Sequence, residues 1–196
     1  MSAFDLVFAV FGLLLGLALC EVLAGFARVL KLKRGARPVR IGWLTPLLGL
    51  FVMLDLTSFW GLAFMARDQM DASYLTLAIV LAITGGYYLV ASLIFPDEPE
   101  DWPDFDLWYD RQKQMVIGGL LSINIVTMIA TSILDAVRPV PEAPPGPAGD
   151  VGFLIYALGA MALFALLIVR NRRWNVAMLA ALNLILLGTS ILEDFI

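Results

Sequence analysis

The sequence predicts an all-α polytopic membrane protein, a bundle of six transmembrane helices in three out–in–out hairpins. Three observations predict it. Of the 196 residues, 61% are hydrophobic and only 15% are charged, whereas a soluble domain is nearer half apolar and a quarter charged. The apolar residues gather in runs of about 20, the length that crosses a bilayer. Eleven of the thirteen lysines and arginines fall at alternate ends of these runs, on one side of the chain so folded. The expected spans are 4–30, 46–66, 73–95, 114–137, 151–170 and 174–195, forming one domain over 1–196.

The first span opens the chain. Between Asp5 and Arg28 its only charged residue is Glu21. The N-terminus lacks a basic lead, and the run is longer than the apolar part of a signal peptide. It is therefore read as a retained helix. Gly12, Gly16, Cys20 and Ala24 recur every four residues as a helix-packing stripe, and the Gly12–Gly16 pair permits close helix approach, inside the bundle or between subunits. Glu21, Gly25 and Arg28 share another face. Arg28 either reaches up to Glu21 or snorkels to the headgroups.

A basic loop, Lys31–Arg40, leads to the second span, where Thr45-Pro46 reads as an N-cap followed by proline at the first helical position. Asp55 lies within this span. A polar turn, Arg67–Asp71, precedes the third span, which carries Tyr88 and stops at Pro96.

The segment 97–114 is acidic and aromatic. Phe105, Trp108, Tyr109 and Gln112 fall on one helical face, which predicts a short amphipathic cytoplasmic helix from about Pro103, running up to or into the fourth span. Trp102, Phe105, Trp108 and Tyr109 are read as an aromatic belt at the headgroups or as a docking site for a partner. The proline-rich stretch 139–150 predicts an extended loop. The fifth span ends at Arg170–Arg173, and the sixth follows from Trp174.

Spans four and six resemble each other. Asn124 and Asn183 each lie thirteen residues after an opening arginine, Arg111 or Arg170, and Thr-Ser-Ile-Leu follows in both. This is either a parallel repeat or the chance likeness of helices built from few residue types.

Charge sets the orientation. Arg67 and Arg138 stand alone on one side, and the other eleven basic residues mark the cytoplasmic side. Both termini are expected outside, in a membrane of the bacterial inner type.

Several chemistries are excluded. With no histidine there is no His-ligated haem, Ser–His catalysis, HExxH zinc site or His relay. One cysteine forms neither an intrachain disulfide nor a thiolate metal cluster. The three lysines, Lys31, Lys33 and Lys113, sit at helix edges, away from any Schiff-base position. No catalytic residue, metal, cofactor or nucleic-acid partner is expected. The expected partners are the lipid bilayer and either further copies of the chain or another membrane protein.

Counting from the cytoplasmic ends at about 1.5 Å per residue, Glu21, Asp55, Asn124 and Asn183 lie about 14 Å deep and Tyr88 about 11 Å. This midplane polar layer has two readings. The groups line a path for a proton or cation, with Arg28 as a charge partner, or they hydrogen-bond one another and hold the helices together. The first makes the chain a small channel or carrier. The second makes it a non-conducting structural, sensory or assembly subunit of a larger complex.

Overall fold

The computed structural model describes residues 3–33, 39–71, 73–139 and 147–193, without the side chains of 3–6, 100, 147–156 and 190–193. Arg34, Arg37, most of the proline-rich stretch, the side chains of Tyr156 and Ser190, and Asp194 fall outside this description. Six long helices account for most of the described chain: α1 (Ala3–Lys33), α2 (Leu44–Met65), α3 (Tyr74–Ser92), α4 (Phe105–Val137), α5 (Pro147–Ile168) and α6 (Arg172–Glu193). Among the described residues there is no strand, and four helices, α1 to α4, are long and apolar enough to cross a membrane.

Local chemistry explains the starts of α3 and α4. Ser73 caps α3, its Oγ accepting from the Thr76 amide at 3.2 Å. Asp104 caps α4, its Oδ1 accepting from the Asp106 amide at 2.9 Å. Each cap satisfies an amide that the helix itself leaves unpaired. Of its two expected forms the aromatic segment takes the second and is no separate helix: α4 runs unbroken from Phe105 for 33 residues, about 50 Å at the α-helical rise. One expectation needs correction. Thr45 does not cap α2, because the helix begins at Leu44 after Trp43. Its buried hydroxyl donates instead to the Phe105 carbonyl at 3.1 Å. Pro46 still falls in the first turn, where its missing N–H costs no helical bond.

The same end is stitched further. The Arg40 amide donates to the Pro103 carbonyl and the Phe105 amide to the Arg40 carbonyl, both at 3.1 Å. The loop before α2 is thus fastened to the start of α4.

The core runs through all six helices, with α1 on α3, α3 on α4, α4 on α5, and α2 packed on α6. Among the described glycines within helices, the closest approach is at Gly25. A Cβ built there would lie 2.1 Å from Cδ2 of Phe95, whose ring also packs edge-on against Phe26 with centroids 5.1 Å apart. Only glycine lets α1 meet the end of α3 this closely. The Phe95 ring fills the space that the missing Gly25 side chain leaves.

The opposite end has its own clasp. Buried Gln69 donates through Nε2 to Asp135 Oδ1 at 2.7 Å and to the Arg138 carbonyl at 2.9 Å. Arg138 answers with bonds to the Gln69 carbonyl and Asp71. Hydrogen bonds from Thr76, then Arg138 and Ser73, hold the Asp71 carboxyl well below the ordinary carboxylate range.

Candidate functional site

Three helices bring polar side chains together inside the bundle. Asp55 on α2 is 9% exposed. Its Oδ2 accepts from the Tyr87 hydroxyl of α3 at 2.9 Å and lies 3.5 Å from Asn124 Nδ2 of α4. The same Asn124 amide donates to the Leu120 carbonyl one turn back at 3.0 Å. A buried carboxyl group needs such donors, because an unpaired polar group in an apolar interior is costly.

The surroundings are apolar. Phe59, one turn beyond Asp55 on α2, tilts against the Tyr87 ring at 5.4 Å and against Phe11 of α1 at 5.2 Å. Next comes a cavity of about 110 Å³, lined by Phe11, Phe59, Ala63, Ile83, Thr127 and Leu134 among others. Thr127 lines it, and its Oγ1 has no hydrogen-bond partner among the described residues.

The other polar groups expected in one layer with Asp55 sit elsewhere. Glu21 and Arg28 pair along one face of α1 at 3.3 Å, with 29% and 37% of their side chains exposed. Arg28 therefore reaches toward Glu21, the first of its two expected positions. Among the described residues, no hydrogen bond joins this pair to Asp55. Asn183 on α6 is buried, and its Nδ2 donates to the Leu47 carbonyl of α2 at 3.1 Å and to its own Leu179 carbonyl at 2.7 Å. Asn124 and Asn183 thus do the same thing: each bonds the carbonyl four residues back and reaches across to α2.

Tyr88 is 40% exposed and lies outside the cluster; its neighbour Tyr87, 2% exposed, takes that place. Along the small-residue stripe, Cys20 and Ala24 are exposed. A Cβ at Gly16 would meet nothing within 4 Å, and one at Gly12 would touch the Trp60 ring at 3.2 Å. Within one chain, then, the stripe seats only Gly12.

The aromatic segment divides in two. Phe105 and Tyr109 are 0% and 1% exposed and belong to the core, which removes them from any belt or docking face. Trp102 and Trp108 are partly exposed and pack edge-to-face at 4.9 Å, with the Trp108 indole donating to the Ile94 carbonyl at 3.0 Å.

The most consequential residue absent from the expected site is Lys113. It is only 7% exposed, not at an open helix edge. Its Nζ donates to the carbonyls of Leu166, at 3.2 Å, and Val169, at 2.5 Å. A cation at those carbonyls complements the negative end of α5. Beside it, Asp110 Oδ2 accepts from Arg172 Nε at 2.8 Å and Nη2 at 2.6 Å.

Among the described residues, no three Cys, Asp or Glu side chains come together as metal ligands would. Comparison with known protein families, with curated proteins and with solved structures finds no match to this chain.

Proposed function

We propose that this chain is an integral membrane protein of six crossings with both termini outside, in a membrane of the bacterial inner type. We propose further that it works as a non-conducting subunit, self-associated or built into a larger membrane complex. The role is non-enzymatic. One observation carries the reading: the Asp55 carboxyl is closed in by Tyr87 and Asn124, with Phe59 and an apolar cavity beyond it. A conducting path needs polar groups in continuous succession from face to face. Among the described residues the polar groups serve three separate uses: the Asp55 cluster, the Glu21–Arg28 pair and the Asn183 tie.

A second reading, a proton or cation carrier, is favoured by the presence of two carboxyl groups, Glu21 and Asp55, within apolar stretches. Intramembrane acids are rare and mark ion pathways more often than not. Liposome flux separates the two readings. The purified chain is expected to pass protons and alkali cations no faster than protein-free liposomes. Flux above that background, lost in Glu21→Gln or Asp55→Asn variants that melt as the wild type does, would establish the carrier instead.

A further inference from the structure

At the basic end of the bundle, a cleft of about 300 Å³ opens between α4 and the end of α5, lined by Asp110, Lys113, Gln114, Leu167 and Arg170. Its charges do not balance. Asp110 is engaged by Arg172 through two hydrogen bonds to one oxygen. Lys113 donates two of its three ammonium protons to the α5 carbonyls. Arg170 has no hydrogen bond or ion pair among the described residues; it stands close enough to Lys113 for the two charges to repel each other, and Asp110 attracts Lys113 more strongly than Arg170 repels it. Asp110 is thus divided between Lys113 and Arg172, and the positive charge it leaves unbalanced on Lys113 and Arg170 raises the free energy of the empty site. An anion placed between them lowers it.

We propose that this cleft binds a phosphate oxyanion, the phosphodiester of a phospholipid headgroup at the membrane surface. The Arg170 guanidinium presents a planar pair of donors that matches two phosphate oxygens. The third Lys113 proton and the Gln114 amide supply further donors. Below the cleft, Leu167 forms part of the wall and Ile168 is 65% exposed, an apolar track for acyl chains. Basic pockets between helices at a headgroup layer are where anionic lipids are held. The lipid source rests on the membrane embedding proposed above; the oxyanion site itself does not.

The test uses the full chain in nanodiscs of phosphatidylcholine, with or without phosphatidylglycerol, and in phosphatidylcholine discs with added inorganic phosphate. Phosphatidylglycerol is expected to raise the melting temperature by about 2–4 °C and to leave a phospholipid bound in native mass spectra. Arg170→Gln, at an exposed position that leaves the fold intact, should abolish both effects. Arg173→Gln, a cation next to the cleft but not lining it, should keep them. If inorganic phosphate alone gives an increment that Arg170→Gln removes, the oxyanion site stands and a free anion is its source. If the wild type responds to neither, or Arg170→Gln responds as the wild type does, the proposal is overturned.

Discussion

Gly25→Ala is expected to destabilise the protein by roughly 1–3 kcal/mol, the usual cost of forcing a methyl group into a packed seam. The added Cβ would stand 2.1 Å from Cδ2 and 2.5 Å from Cγ of Phe95. Those atoms lie near the root of the ring, so rotation alone does not clear them. The ring packs edge-on against Phe26 of α1, and Cε2 of Phe95 would stand 3.3 Å from a Cβ on Gly49 of α2. Relief therefore requires α1 to move away from the end of α3. Melting temperature in a fixed detergent should fall by about 2–4 °C for each kcal/mol lost. Gly16→Ala is the matched control on the same helix. Its Cβ meets nothing within 4 Å, and the melting temperature should stay within error of the wild type.

Lys113→Met should be as damaging, through polar groups instead of volume. Methionine replaces the stem but not the ammonium, so the Leu166 and Val169 carbonyls both lose a charged donor. Hydrogen bonds to a charged group contribute about 1.5–3 kcal/mol each, and the two share one donor, so a loss of roughly 3 kcal/mol is expected. The effect should centre on α5. Hydrogen exchange should rise around residues 163–169 before it rises in α2 or α3. Lys33→Met, at an exposed position on α1, should leave both readouts unchanged.

These two residues show where the sequence is readable and where it is not. Long apolar runs and the residues that interrupt them mark where the long helices lie, because run length and breakers are one-dimensional properties, but α4 begins at Phe105, well before its apolar run. Which face of a helix turns inward is harder. On α3 nearly every residue is apolar, so lipid-facing and protein-facing sides look alike, and the choice between Tyr87 and Tyr88 is open in sequence but settled by packing against Phe59. Lys113 was in fact legible. Phe105, Tyr109, Lys113, Val116 and Leu120 recur at helical spacing and are all buried; extending the aromatic face by one turn places the lysine inside. The clasp of Gln69 on Asp135 and Arg138 joins residues 66 and 69 positions apart, and no local pattern announces it. Asp55 stood out because an acid inside an apolar run needs partners; the identity of those partners is a tertiary fact.

The claim that matters most is that the buried acid ties helices together. A double-mutant cycle over Asp55 and Tyr87 measures it most directly, with Asp55→Leu, Tyr87→Phe and the pair compared by thermal or denaturant unfolding in one detergent. Tyr88→Phe, at the exposed neighbouring position, should change nothing. Tyr87→Phe is expected to lower stability when Asp55 is present and to have little effect when position 55 is leucine, a coupling of about 0.5–3 kcal/mol. Additive losses, agreeing within about 0.3–0.5 kcal/mol, would contradict it.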